Sequence, residues 1–333
     1  MRYLRNILVA TVFITVLSSC NNKLNVNADW RDITVVYGLL SQNEDTTYLK
    51  ITRAFLGEGD ALQFAKNPDS SSYPDKLDVK IEEWSGSNLV NTYIFDTITI
   101  HTKEAGDSIF YYPDQLVYYN HTGHLNENNT YRLKITHKKT GVIDSASTNM
   151  VHQFTVDIPD PYSRRVEYIP GHNFEVKFYP GYGGKRYQLV IRFHYLETTA
   201  EGTVQKSFDW MLFSNLQVTD PYDPNPSEID NFFNGDVFYT VVAGNIDTNY
   251  RVTSRVARSV DYIFSVASED LNTYMEVTEP SLSIVQERPS FSNIYNGIGL
   301  FSSRFVNEID TLIIGPNTIS NLQTDPRTSK LKF

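Results

Sequence analysis

The sequence predicts a mainly β protein: an N-terminal immunoglobulin-like β-sandwich followed by a second β-rich (α+β) domain with one or two short helices. Three observations carry this. Aromatic residues are 13% of the chain, with 22 Tyr and 19 Phe, and they join frequent Thr, Val and Ile, types that suit half-buried pleated surfaces. Short runs of period-two alternation recur along the chain between turns rich in Gly, Asn and Pro. Finally, Ile158-Pro159-Asp160-Pro161 divides these runs into two blocks, because two prolines hold the backbone extended and remove two donors.

A leader precedes the first strand. Arg2 and Arg5 give a positive start, residues 7–17 are eleven uncharged residues, and Ser18 and Ser19 are small, the order of a secretory signal. Eleven helical residues span roughly 16 Å against about 30 Å of bilayer core, too short to cross. Leu17-Ser18-Ser19-Cys20 resembles the lipobox of bacterial lipoproteins. That resemblance implies removal of residues 1–19 as a signal peptide and lipidation of Cys20. Each buried methylene contributes about 0.8 kcal/mol, and two or more acyl chains anchor stably where one does not. Cys20 is the only cysteine, so a lipidated chain has no thiol nucleophile, disulfide or Cys-based zinc site. Residues 20–28 form a polar, Asn-rich lipidated tether; residues 21–28 extend to at most roughly 29 Å. Surface-bound Bacteroidota lipoproteins often carry a Lys and acidic cluster after the Cys; Asn21-Asn22-Lys23-Leu24-Asn25 stands there instead. The periplasmic and surface faces of the membrane both stay open.

The sandwich is expected over residues 29–157. Residues 33–40 and 47–55 read as strands around a turn at 41–45, and 56–75 as a loop with a short helix at 60–65. Residues 77–84 alternate, with Leu77, Val79 and Ile81 on one side and Asp78, Lys80 and Glu82 on the other. Gly86-Ser87-Asn88 turns the chain into 89–95. Strands at 130–137, 142–148 and 154–156 complete about seven, the count of an antiparallel sandwich of immunoglobulin-like size.

The second domain is expected over 158–333. Strands are predicted at 173–178, 187–196 and 203–213, with a Gly-rich turn at 181–184. Asp220-Pro221-Tyr222-Asp223-Pro224-Asn225-Pro226 breaks any regular element. Ser227 reads as the cap of a short helix near 227–234, ended by Gly235. Residues 237–243 and 250–256 read as strands. A helix is predicted over 259–275, where Ile263, Val266, Ala267, Leu271 and Tyr274 fall on one face. A final strand is expected near 301–306.

Pro289-Ser290-Phe291-Ser292-Asn293-Ile294-Tyr295-Asn296-Gly297-Ile298-Gly299-Leu300-Phe301 resembles the Asn-Ile-x-Asn-Gly-x-Gly-x-Phe signature of an uncharacterised Bacteroidota outer-membrane lipoprotein family. The lipobox and the early Val36-Tyr37-Gly38-Leu39 strand fit it in the same order. The resemblance implies an immunoglobulin-like sandwich, a second β-rich domain and genes often beside TonB-dependent transporters. It transfers no catalytic residue.

The signature itself reads in two ways. Gly297 and Gly299 permit positive φ or close backbone approach, and Asn293 and Asn296 can bond nearby backbone; the loop is a structural turn or, alternatively, a ligand loop. As a phosphate cradle it lacks a strand-to-helix transition and a Lys-Ser/Thr pair. His121 and His124, with Glu127 behind them, lack the converging ligands of a zinc site. Asp220, Asp223, Glu228 and Asp230 offer oxygens to Ca²⁺ without the Asp-x-Asp-x-Asp-Gly run, so an acidic loop is the plainer reading. Asp209-Trp210 with Tyr111, Tyr112, Tyr118 and Tyr119 suggests either a sugar-stacking platform or core and cross-strand pairs. No Gly-x-Ser-x-Gly elbow is present.

The formal charge is -10, and -12 once Arg2 and Arg5 leave with the leader. Without a basic stripe, nucleic acid is not an expected partner. The expected function is a non-enzymatic outer-membrane lipoprotein, an accessory or ligand-binding partner of a TonB-dependent transporter, with no cofactor and no metal. The alternative is a surface structural or adhesive protein, pilus-like or of a matrix; a secreted hydrolase with an unrecognised site is the third. Replacing the lipidated residue, Cys20→Ala, is expected to move the protein from the membrane pellet to the soluble fraction on cell fractionation.

Overall fold

β1 (Ile33–Leu40) and β2 (Thr47–Ala54) pair antiparallel and bury alternate side chains, Thr34, Val36 and Leu40 on one, Thr47, Leu49 and Ile51 on the other. The computed structural model of the protein describes residues 33–54, 66–67, 71–101, 114–279 and 290–333. The leader, Cys20, the tether, the helix expected at 60–65, and Tyr111 and Tyr112 lie outside the described residues.

β5 (Asp96–Ile100) and β6 (Gln115–Asn120) extend the β1–β2 sheet. A second sheet holds β3 (Asp78–Ser85), β4 (Asn88–Ile94), β7 (Thr130–Thr136) and β8 (Ile143–Asn149) in the order β4-β3-β7-β8. Val36, Leu40, Leu49 and Ile51 of the first sheet pack against Val79, Ile81, Leu133 and Ile135 of the second. This is a β-sandwich, formed because each strand alternates apolar-in with polar-out.

The second unit is built on long strands, β12 (Arg186–Thr199), β13 (Gly202–Gln217), β15 (Val252–Ala267) and β16 (Gly297–Ile314). A small sheet of β9 (Thr155–Ile158), β11 (Asn173–Tyr179) and β14 (Ile229–Asn234) belongs to the same core, and β10 (Arg165–Val166) pairs with the end of β16. The helices among the described residues are α1 (Asp236–Asn245), α2 (Glu269–Thr278) and α3 (Pro316–Thr324). The core is aromatic: Phe154 alone has Phe178, Tyr187, Phe264 and Phe305 rings within 6.0 Å.

β16 joins the two units. Its first part runs parallel to β1, from Thr34 opposite Gly297 to Leu40 opposite Ser303. Its second part runs antiparallel to β15, from Arg304 opposite Ala267 to Ile313 opposite Ser259. Phe301 is buried in the sandwich core, and Phe305 and Leu312 in the other. A single sheet therefore runs β13-β12-β15-β16-β1-β2-β6-β5 through both units.

Several sequence expectations are corrected. The division into 29–157 and 158–333 does not hold, because residues near 294–303 return to the sandwich. Moreover, Val151 and Val156 already belong to the second core. The helix expected near 227–234 is β14, whose residues alternate in exposure and pair with β11, Phe233 opposite Phe174. Gly235 stands at the N-cap of α1, so the strand expected at 237–243 is helix, with Phe238, Tyr239 and Val242 inward. The helix expected over 259–275 is strand up to Ala267, and α2 starts only after Ser268. Val260, Tyr262, Phe264 and Val266 satisfy period two, and β12 and β16 take up the backbone bonds on both edges. The final strand is the whole of β16 rather than 301–306.

Two outcomes follow from this packing. Gly299 has φ +118°, and a Cβ there would overlap the Val36 carbonyl oxygen. Gly299→Ala is expected to cost about 3 kcal/mol in urea denaturation, whereas Gly244→Ala, on open space in α1, should be neutral or stabilising by up to about 1 kcal/mol. Buried Glu82 meets Lys80 and Lys134 Nζ at 2.9 Å each; burial raises its carboxyl pKa, but the two lysines outweigh that and lower it from 4.5 to about 2. A depressed folded pKa adds stability above the unfolded value that is lost as pH falls through the folded one. Stability should therefore decline between about pH 4.5 and 2, and denaturation of Glu82→Gln across that window should show a shallower decline.

Candidate functional site

Two turns and one link meet at the seam between the units. In the 220–226 loop, three prolines fix φ, while Asp220 Oδ1 accepts from Tyr222 N and Asp223 Oδ1 from Asn225 N, both at 2.9 Å. The folded-back loop accepts Gly183 N on the Pro221 carbonyl at 2.6 Å. The Gly181–Gly184 turn lies tight on the interunit link: a Cβ on Gly181 would stand 2.5 Å from the His152 carbonyl oxygen. His152 N donates to the Tyr182 carbonyl at 2.9 Å.

This meeting sets three rings in a row. His152 and Tyr182 have centroids 5.1 Å apart, and Tyr182 and Tyr222 lie edge to face at 5.5 Å. Tyr182 and Tyr222 stay 43% and 41% exposed, unlike the core tyrosines Tyr168, Tyr187 and Tyr262. Tyr182 lines one, and Tyr222 the other, of two adjoining lobes of an open cleft that share Asn149 and Met150. The larger, about 670 Å³, includes Glu127, Asn128, Asn149, His152, Gln153 and Asp223 in its lining. The smaller, about 140 Å³, is bounded by Thr148, Gly183, Tyr222, Glu269 and Asp270.

Four carboxylates face this cleft, and neutral donors hold three of them. Glu127 accepts from Gln153 N at 2.8 Å, and Asp270 from Asn293 Nδ2 at 2.8 Å. Asp223 closes its own turn, and Glu269 lies beside the Tyr222 hydroxyl. Burial, followed by the charge and hydrogen bond of Glu269, raises the Tyr222 phenol above its usual value. Glu269 and Asp270 occupy the first turn of α2, where the helix dipole favours acids. Among the described residues, no Lys or Arg lines either lobe.

The residues singled out in the sequence lie elsewhere or serve the frame. Asn293 clamps the backbone of Phe301, accepting from its N at 2.9 Å and donating to its carbonyl at 2.8 Å. Asn296, at φ +61°, donates to the Ile143 carbonyl at 3.0 Å. Gly297 and Gly299 lie against the backbone of β1. The signature is thus the joint between β16 and the sandwich, and through Asp270 it touches the cleft. His121 and His124 bond apart, to Thr46 Oγ1 and the Gln42 carbonyl. Glu228 pairs with Lys177 at 2.9 Å, away from the turn-forming Asp220 and Asp223. Asp230 lies instead beside Glu175, whose carboxyl pKa is raised by burial and then by Asp230. No group of three or more potential ligands is placed to hold a metal ion among the described residues. Among the described residues the stacking platform is not assembled: Asp209 is bound by Arg192, while Trp210 and Tyr118 are buried in different cores.

One cluster was not foreseen. Thr34 Oγ1 donates to Asp144 Oδ2 at 2.5 Å, and His137 Nε2 meets the same oxygen at 2.7 Å. The hydroxyl proton goes to the carboxylate rather than to the imidazole, and Thr34 is 1% exposed. The arrangement is a polar lock between the two sheets, unlike a nucleophile–base–acid chain. A further groove of about 590 Å³ runs over the outer face of β1, β2 and β6 past Tyr37, Thr52 and Leu116.

No protein-family model matches the chain, and no curated protein sequence matches it. Among solved structures, the crystal structure of CBD12 from CALX1.2 is similar at 11% identity, over 82% of this chain and 100% of that one, with a TM-score of 0.16. A likeness at that level carries no argument. The class that the fold itself defines is a mainly β protein whose sandwich and second unit share one strand.

Proposed function

We propose that the protein is a non-enzymatic lipoprotein of the outer membrane that binds a ligand in the seam cleft and works beside a TonB-dependent transporter. The observation that carries the binding role is the pair Tyr182 and Tyr222, half-exposed and edge to face in a concave, polar surface. Aromatic side chains beside a few placed polar groups are features of small-ligand sites. The shared strand β16 supports the same reading, because it holds the 181–184 and 220–226 turns of one unit in fixed relation to Glu127 and Asn149 of the other. The lipobox resemblance supplies the tether and the membrane, and the C-terminal signature supplies the transporter.

An adhesive role has one observation in its favour: β4, at a sheet edge, exposes Leu89, Val90 and Ile94. Strand addition at that edge would give self-association.

The test has two arms. Thermal-shift screening of amino acids, short peptides and oligosaccharides should give hits that Tyr222→Ala abolishes. Pull-down from detergent-solubilised membranes should recover a TonB-dependent barrel. Hits indifferent to Tyr222→Ala would remove the cleft from the proposal, and repeated failure to recover a barrel would remove the transporter. Self-association in sedimentation with neither result would favour the adhesive role.

A further inference from the structure

We infer that two copies of this chain associate edge to edge through β13, an inference that stands apart from the cleft. β13 ends the long sheet, and among the described residues it pairs only with β12. Its register with β12 is regular from Thr203 to Met211 and shifts only beyond that run. The Lys185 carbonyl accepts Val218 N at 2.9 Å, so the odd-numbered residues of β12 turn their backbone to β13. Ile191, Phe193, Tyr195 and Glu197 thereby bond with Trp210, Phe208, Lys206 and Val204. Alternation directs the N–H and C=O groups of Thr203, Gln205, Ser207, Asp209 and Met211 to the open side. All five residues are exposed.

An open edge invites strand addition unless it is short, covered or guarded by charge, and β13 escapes each device. Its two charges are answered within its own sheet, Lys206 by Glu197 at 2.6 Å and Asp209 by Arg192 at 2.7 and 2.9 Å. The other sheet ends differ. β5, β9 and β14 have only five, four and six residues, and Tyr295 bridges to β8. On β4, Thr92 N donates to Asn91 Oδ1 at 2.8 Å, and the Ile94 carbonyl accepts Asn120 Nδ2 at 2.7 Å.

The β13 edge complements itself. A two-fold axis through Ser207 pairs the whole run with its copy. Thr203 then stands opposite Met211 and Gln205 opposite Asp209 on one face, Val204 opposite Trp210 and Lys206 opposite Phe208 on the other. An axis through Lys206 or Asp209 would set like charges directly opposite, which is destabilising. The Ser207 register instead gives Asp209 an amide donor and covers Val204 and Met211, 59% and 49% exposed in the single chain. Each contact occurs twice, as in any closed two-fold interface.

Sedimentation of the full-length protein in detergent over a range of concentrations tests this. A dimer is expected. Ser207→Pro should raise its dissociation constant at least about tenfold with circular dichroism unchanged, because Pro is tolerated where an edge strand's N–H faces solvent. Ser207→Cys should form an intermolecular disulfide that the parent chain does not, since residues opposed across the axis lie within disulfide reach. Val90→Lys on β4 should leave the dimer intact. A monomer at every concentration would overturn the inference and leave the edge to a strand of another protein. A dimer that Ser207→Pro spares, or that Val90→Lys dissolves, would overturn it in favour of another surface. A dimer lost on Ser207→Pro in which Ser207→Cys forms no disulfide would overturn the register.

Discussion

β16 has to satisfy two sheets with one run of backbone, and most of the architecture follows from that constraint. At Ser303 and Arg304 its pairing passes from parallel with β1 to antiparallel with β15. At the same place its buried side chains change cores, from Phe301 to Phe305. Burial of each such ring contributes roughly 1.5–3 kcal/mol, so the strand is held from both sides. Cross-unit bonds gather at the same point: Ser303 Oγ donates to the Asn149 carbonyl at 2.6 Å, Ser268 and Ser302 hydroxyls meet at 2.6 Å, and Arg304 pairs with Glu44. The sandwich is therefore completed by a segment from the far end of the chain. Pairings of such large sequence separation carry a loop-closure cost before they stabilise anything, which places completion of the sandwich after the C-terminal region is available.

The signature at 293–301 takes its composition from this joint. To run beside β1 the backbone must lie where Thr34 and Val36 carbonyls leave no room for a Cβ, hence Gly297 and Gly299. The preceding turn needs positive φ, which Asn296 supplies while its amide reaches the Ile143 carbonyl. Tyr295 and Ser145 exchange two backbone bonds, so the turn is also stitched to β8. Before Gly297, the Asn293 amide presents a donor and an acceptor to Phe301, doing with a side chain what a neighbouring strand does with its backbone. Those bonds account for the amides and glycines as parts of a fold.

How far the sequence could be read depended on whether one local rule dominated. Residues 33–40 alternate and nothing competes, so their strand is legible. Residues 259–267 fit both period two and one helical face, and only the edges of β12 and β16 decide between them. Residues 237–243 are apolar apart from Thr240, and such short runs do not distinguish strand from helix. The cleft was illegible for a different reason. Gly181-Tyr182-Gly183 and Pro221-Tyr222-Asp223 each place an aromatic in a tight turn, a local hint that the ring cannot enter a core. Their meeting with His152 and Glu127 depends on the seam, which no local pattern encodes.

Buried charge away from the cleft is closely partnered. Arg255, 4% exposed, gives Nε and Nη2 to Glu197 at 2.9 and 2.7 Å and Nη1 to the Leu331 carbonyl at 2.6 Å. It thereby fixes the C-terminal turn onto β12 and β15. Asp144 takes both Thr34 and His137, and Asp261 takes His194 Nε2 at 2.6 Å and Thr311 N at 2.7 Å. Such groups can be buried only because they are partnered, since an ion stripped of water without a partner costs several kcal/mol. Glu127, Asp223 and Asp270 at the seam accept from neutral donors and line an open cleft instead.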